Sequence, residues 1–321
     1  MFIIVTLKDI AQACNVSIST VSRAFDKTSR ISQPVRQRIL ACAADMGYTP
    51  NLIARSLKNN HSMTVAIIVP SIENHFYIDV LQYLEIKLHQ YGYRLLVTFV
   101  QEGITTERDC LEVAASAQAD ALIFFPEDCR NLSYIEKSLN QFSIIQLFQS
   151  PYMQIDSITI DDAGGTEIGT NYLLDKGHRR ILYVGDNQRI SGLWKAIDSA
   201  NVVHDSIRTL TSSVTVNELC DIIQDFHPTA VFSIATASET VWLAIRQLGL
   251  SIPDDISIIT YDNSKWVSLV GLTAIAHDLE KITSLLVAQL LLRLKGDTST
   301  PPQHIVISPF LIERSSVLKI N

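Results

Sequence analysis

Hydrophobic positions follow two different rhythms along the chain. At the N-terminal end they come in short helical bursts. Ile10, Ala13 and Cys14 recur at the spacing of one helix face, Val21 and Ala24 form a second, and Val35, Ile39, Cys42 and Met46 a third over 32–46. From Thr64 the pattern changes: Thr64-Val65-Ala66-Ile67-Ile68-Val69-Pro70 is apolar without a break, as expected of a strand covered on both faces of a parallel sheet. Helical spacing over 76–91 stops at Gly92, and strands at 94–100 and 121–125 alternate with helices at 107–117 and 132–139, before an extended stretch at 143–148. The alternation starts again with a strand at 157–160, a helix at 163–176 ending at Gly177, strands at 180–184, 230–233 and 256–260, and helices at 216–226 and 240–248. This predicts an α/β body of two similar lobes in series, each a doubly wound parallel sheet, behind an all-α N-terminal domain. Residues 279–294 are apolar nearly all round, which predicts a helix buried between elements or at a subunit interface.

Polar residues sharpen the N-terminal reading into a helix-turn-helix. Thr6 three residues before Asp9 is a capping box with Asp in place of Glu. Asn15 stands at the turn, where a left-handed residue is needed and Asn tolerates that conformation. Ser17 is placed to cap the second helix, which turns Val21 and Ala24 inward and Ile18, Ser19, Ser22 and Arg23 outward. Small polar side chains and an arginine near a helix N-terminus suit the major groove of DNA. Gly47 ends the third helix as a left-handed cap.

Charge changes the picture more than composition does. The 321 residues are 47% hydrophobic and 18% charged, with a net charge of −7, which by itself argues against a nucleic-acid binder. The distribution reverses that argument. Residues 1–60 carry eight Lys/Arg against three acids, +5, which leaves −12 for the remainder. A basic head on an acidic body directs the head, and not the body, toward phosphate; a merely solvated surface would not explain the asymmetry. The five cysteines are odd in number and scattered, with no Cys-x-x-Cys pair and no metal spacing, so reduced thiols in a cytoplasmic protein are expected. The apolar start, 1–5, is too short for a signal sequence, and no run reaches the length of a membrane span. No Gly-x-Ser-x-Gly, P-loop or His-Glu-x-x-His appears, and Gly164-Gly165 is not a dinucleotide fingerprint. No enzyme activity, cofactor or metal is expected.

Residues 5–26, VTLKDIAQACNVSISTVSRAFD, together with 47–58, GYTPNLIARSLK, closely resemble the lac-repressor family of bacterial transcription regulators, and the resemblance extends over nearly the whole chain. It implies a DNA-binding domain over 1–50, a hinge helix and linker over 51–62, and a two-lobed effector-binding and dimerisation domain over 63–321. In the family the hinge folds on DNA, and the leucine matching Leu57 wedges into the minor groove; the plainer account of Leu57 is packing within a linker. Candidate DNA contacts are Thr6, Ile18, Ser19, Thr20, Ser22, Arg23, Arg30, Asn51, Ala54, Arg55 and Leu57. The family also implies crossover strands between the lobes and a ligand cleft there, in line with the preference of ligands for the carboxyl ends of parallel strands.

Candidate effector contacts are Ser71, Asn74, Phe76, Asp161, Arg189, Asp262 and Trp266. Several have a plain structural alternative: Phe76 as core, Asp161 as a helix cap, Arg189 as a free surface arginine, Trp266 as core. Tyr77 is read as core. Asp262, in Thr260-Tyr261-Asp262-Asn263, matches the family's strand-end acid and is the leading pocket residue. The loop before Arg189 is about six residues shorter than the family's usual one, and Ile234-Ala235-Thr236-Ala237-Ser238 stands where sugar-responsive members have Asn-Asp, so the pocket is remodelled. The resulting expectation is a homodimeric repressor that binds a near-palindromic double-stranded operator under control of a sugar or sugar phosphate. The alternatives are a solute-binding protein of the periplasmic kind, or a catalytic α/β protein with an accessory head.

Overall fold

A computed structural model describes residues 5–25, 29–48, 61–71, 75–101, 103–126, 131–138, 142–296 and 299–320. Two compact units divide the chain between Ser62 and Met63. The first contains helices α1 (Leu7–Ala13), α2 (Ile18–Ala24) and α3 (Gln33–Asp45). Ile10, Val21 and Ile39 are fully buried where the helices meet, with Ala11, Cys14, Ala24 and Ala43 around them. Ala11, and not Ala13, completes the inner face of α1, because Ala13 falls on the exposed side.

In the second unit, the first lobe is a six-stranded sheet. Its strands are β1 (Thr64–Val69), β2 (Arg94–Phe99), β3 (Ala121–Phe124), β4 (Ser143–Phe148), β5 (Asp156–Ile160) and β11 (His304–Ile307), in the spatial order β11-β5-β4-β3-β1-β2 and all parallel. The uninterrupted apolar run of β1 has a direct cause. Val65, Ile67 and Val69 face α4 (His75–Gln90) and α12 (Leu279–Leu294), while Ala66 and Ile68 face α5 (Glu107–Ser116), so neither side of the strand meets water.

The second lobe is a sheet of β6 (Ile181–Gly185), β7 (Ile207–Thr211), β8 (Ala230–Ser233), β9 (Ser257–Tyr261), β10 (Thr273–Ala276) and β12 (Phe310–Ile312). Its order is β12-β10-β9-β8-β6-β7, with β12 alone antiparallel. Helices α7 (Asp162–Asp175), α8 (Ile190–Ser199), α9 (Val216–Phe226), α10 (Ala235–Gln247) and α11 (Lys265–Leu269) belong to this lobe, and α6 (Leu132–Ser138) to the first.

The lobes are not simply in series. The chain passes from β5 into α7, returns from β10 into α12 of the first lobe, and crosses again from β11 to β12. The spacing of apolar residues does not reveal this return, and β7, β10, β11, β12 and α8 are too short or too mixed to stand out from it. The helix Leu279–Leu294 also departs from the expectation of all-round burial. Ile282, Leu286, Val287 and Leu290 pack on the first lobe's sheet, while Leu292 on the far side is 49% exposed.

A buried ion pair fixes this returning helix. Arg293 reaches Asp156 at the start of β5 through Nε (2.6 Å) and Nη2 (2.8 Å), and the Gln303 N–H (2.7 Å) and Gln289 amide (3.1 Å) fill the rest of the carboxylate. Removing one partner of such a pair leaves an uncompensated buried charge, which costs about 3–5 kcal/mol. Arg293→Ala is therefore expected to lower the urea midpoint of the body by an amount corresponding to roughly 3 kcal/mol. An unchanged midpoint in urea unfolding followed by far-UV circular dichroism would show that the pair does not hold α12.

Candidate functional site

In the head, local hydrogen bonds determine which side chains face outward. The Asp9 carboxylate accepts from the Thr6 N–H (2.8 Å) and hydroxyl (2.7 Å), and these bonds hold it below the usual carboxylate range. Asn15 has φ +52°, the left-handed turn its position requires. Ser17 accepts from the Thr20 N–H (3.1 Å), and its hydroxyl also meets those of Ser19 and Thr20, both at 2.8 Å. With α2 capped and Val21 and Ala24 buried, Ile18 is 50% exposed, Ser19 and Arg23 are exposed, and Ser22 is half-buried. Arg30 is also exposed. The hydroxyls of Thr6, Ser19 and Thr20 are all engaged in bonds at the helix starts. Asn51, Ala54, Arg55 and Leu57 lie outside the described residues, as does Asn74 in the body.

Arg36 has a role that its charge alone did not suggest. Its guanidinium donates to the Ala24 carbonyl (2.8 Å) at the end of α2 and to the Ser29 carbonyl (2.9 Å). It thus satisfies a carbonyl that the helix end would otherwise leave without an intrahelical partner.

In the body, the candidate site lies where the carboxyl ends of the two sheets meet the crossovers. A cavity of about 720 Å³ opens there. Phe76, Asp79 and Tyr83 of α4 line one side, Asp262 and Lys265 the other, and His277 the crossover into α12. Asp262, just past the end of β9, has φ +72° and accepts a hydrogen bond from His277 Nε2 at 2.7 Å. Phe76 packs on Phe148 (centroids 4.9 Å apart) and on the His277 ring (5.2 Å), so it serves both the aromatic cluster and the cavity wall. Tyr77 packs on Phe125 at 5.0 Å in the first lobe's core, as read from sequence.

Arg189, just before α8, sits beside this cavity and does not line it. Its guanidinium pairs with Asp162 (3.1 Å) and with Asp186, and lies 4.8 Å from the Tyr261 ring centroid. Burial opposes its charge, but Asp162 and Asp186 hold its pKa above the ordinary arginine value. Burial pushes the Asp162 carboxyl up, against Arg189 and His277, and it pushes the Tyr261 and Tyr183 hydroxyls up as well. Gly192 makes the arrangement possible, because a Cβ there would collide with the Ala163 carbonyl of the adjacent helix. Arg189 is therefore not the free surface arginine that its loop also allowed.

Three further candidates, Asp161, Trp266 and Ser71, do not line the cavity. Asp161 accepts the Gly164 N–H (2.9 Å) and caps α7, while its neighbour Asp162 is the carboxylate at the arginine. An N-cap carboxylate turns back to its own helix, so only the next residue faces the arginine. Trp266 packs against the second lobe's core and is absent from the cavity lining, because the short α11 turns that face inward. Ser71 is half-buried and also does not line the cavity. Asp162, Asp186 and His277 were missed. The first two follow strand ends that were read, so their position was an available signal; His277 follows β10, which was not.

This geometry defines a helix-turn-helix regulator whose body is a two-lobed binding fold. Residues 6–51 match the bacterial regulatory proteins of the lacI family, and residues 170–317 match a periplasmic binding protein-like domain. The chain belongs to the lac-repressor family of bacterial regulators. It is 28% identical to the transcriptional regulator DegA of Bacillus subtilis, over 98% of this chain and 99% of that protein. It is 26% identical to the ribose operon repressor of Haemophilus influenzae, again over 98% and 99%. The fold matches that of the lac repressor dimer bound to operator and the anti-inducer ONPF, with TM-score 0.83 and 22% identity over 98% of this chain and 100% of that one. These relatives are regulators and not enzymes. Among the described residues no helix is long and apolar enough to cross a membrane.

Arg36→Ala is expected to destabilise the head by about 1–3 kcal/mol, the range for a charged hydrogen-bond donor withdrawn from partly buried carbonyls. Thermal melting followed by the helix signal of the head would measure it. A melting point equal to that of the parent would return Arg36 to the surface charges.

Proposed function

We propose that this protein is a sequence-specific transcriptional repressor that binds a near-palindromic double-stranded operator as a homodimer, under control of a small molecule bound between its lobes. The observation that carries the reading is the outward face of α2: Ile18, Ser19 and Arg23 exposed on a capped helix in a head of charge +5. Such a helix offers base-reading side chains, while the surrounding cations supply phosphate contacts that position it. In this reading Ile18, Ser19, Ser22 and Arg23 read base edges; Thr6, Thr20 and Arg30 assist at the backbone; and Asn51, Ala54, Arg55 and Leu57 act in the minor groove.

Dimerisation is supported by large apolar side chains left exposed on the body, among them Ile86 and Leu292 in the first lobe and Leu243 and Leu269 in the second. The effector reading is supported by the roomy cavity at the crossovers, with Phe76 and Asp262 in its wall. Ser71, Asn74 and Arg189 are assigned to its surroundings, with Asp162 taking the place first given to Asp161. A carbohydrate-sized molecule fits the volume, and the ribose operon repressor and a lacI-family regulator with bound ribose are similar proteins of matching design. Ligand and DNA affinities would then shift reciprocally, because a molecule that favours one lobe arrangement changes the binding state of the dimer. The domain division follows: a reading head over 1–50, a hinge over 51–62 and the effector body over 63–321.

Arg23→Ala is expected to weaken operator binding by roughly tenfold or more, the worth of a direct base contact, with a much smaller loss on random DNA. Fluorescence anisotropy on both DNAs measures the difference, and equal losses would remove Arg23 from base reading. Binding should also weaken steeply with salt, since each neutralised phosphate releases counterions. A flat response between 50 and 200 mM salt would contradict the basic-head argument.

A further inference from the structure

Two of the chain's five cysteines sit in the head, on elements that the fold brings together. Cys14 ends α1, is 8% exposed and belongs to the core of the head. Cys42 lies on α3, half-buried, and packs against that core. The Arg38 guanidinium, one helical turn before Cys42, donates to the Cys14 carbonyl (3.4 Å), so this face of α3 lies on the end of α1. The two thiols are hydrogen-bonding neighbours: burial and the Cys42 thiol push the Cys14 thiol up, and Arg38 opposes them. A third sulfur completes the cluster, since Cys42 Sγ donates to Met46 Sδ at 3.7 Å.

The thiols of the body are placed differently. Cys110 donates to the Phe99 carbonyl (3.5 Å) and Cys220 to the Ala244 carbonyl (3.7 Å). Two thiols already in contact need little movement of the chain to join. In a reducing compartment such a bond forms transiently and returns to thiols. Access assigns the roles: half-buried Cys42 meets an oxidant first, with the Arg38 charge nearby to favour its thiolate, and buried Cys14 resolves.

We propose that Cys14 and Cys42 form a reversible disulfide in the head when the protein meets a peroxide. The Cys42 thiolate attacks one peroxide oxygen, the O–O bond breaks, and the leaving hydroxide takes up a proton to become water. Cys14, giving up its own proton, then attacks the sulfur of the Cys42 sulfenic acid. The S–S bond forms, the S–O bond breaks, and a second water leaves. Two thiols are oxidised and one peroxide is reduced.

Only Asn15 and Val16 separate Cys14 from Ser17, the cap of α2. Drawing Cys14 onto α3 therefore shifts the turn that sets α2, and operator affinity falls. This consequence for DNA rests on the function proposed above; the bond itself does not.

The test treats the full-length protein with hydrogen peroxide, alkylates it and digests it with trypsin. Peptides 9–23 and 39–55, each with one cysteine, should appear disulfide-linked, and dithiothreitol should separate them. Cys42→Ser and Cys14→Ala should each abolish the link. DNA binding is read by fluorescence anisotropy on a duplex selected from a randomised pool by the reduced protein. Oxidation should weaken that binding about tenfold or more, dithiothreitol should restore it, and Cys42→Ser should hold its affinity through the same treatment. The proposal is overturned if peroxide leaves the two peptides unlinked, if the linked protein binds the duplex as tightly as the reduced one, or if Cys42→Ser loses affinity as the parent does. Linked peptides from a protein that selects no duplex would sink the operator reading and leave the disulfide site standing.

Discussion

The body depends on one topological constraint: the chain crosses between the lobes at the ends of β5, β10 and β11. Each crossing leaves a parallel strand at its carboxyl end, where the backbone is no longer held by neighbours on both sides. Asp161 and Asp162 stand at the first crossing and His277 and Asp278 at the second. Side chains there meet partners from the other strand ends without any long loop to carry them. The aromatic contacts of His277 with Phe76 of the first lobe and Tyr261 of the second (5.4 Å) are a direct result. A residue placed on a crossing touches both halves of the body and is sensitive to the angle between them.

The electrostatics beside the cavity follow from burial. A buried guanidinium is costly in a medium that screens poorly, and the cost falls only when carboxylates stand close to it. Arg189 has two, one from the start of α7 and one from the turn after β6. The ring of Tyr261 adds a face for the cation. One charge, drawn from three strand ends, is thus tied to the packing of the second lobe. Asp262 works differently: it is bound to a neutral-capable partner, His277, and remains next to the open volume.

Much of this was legible in the sequence, for reasons specific to each element. The continuous apolar run at 64–69 is visible because both faces of β1 are covered, and Asn15 because few residues tolerate its backbone. The return of α12 to the first lobe was not legible. Its apolar face does not say which sheet it covers, and the ion pair that accompanies the return, Arg293 with Asp156, joins residues 137 apart in sequence. The same limit applies to Asp161 and Asp162. Two adjacent carboxylates look alike in sequence, and only the start of the helix decides which one turns back to cap and which one faces the arginine.

The head shows why a charge count overstates an interface. Residues 1–60 hold eight cationic side chains, and the count treats them alike. Arg36 is occupied by carbonyls at the end of α2, and Arg38 also reaches inward, to the Cys14 carbonyl at 3.4 Å. Each interior bond draws a guanidinium toward the helix junction and away from any phosphate. Their positive charge still contributes to the long-range field, which falls off over about 10 Å in 0.1 M salt. Arg23 and Arg30, in contrast, are exposed. The same residue type therefore occupies two separable environments in one small domain: Arg36 and Arg38 bond carbonyls near the ends of α2 and α1, while Arg23 and Arg30 lie exposed at the surface.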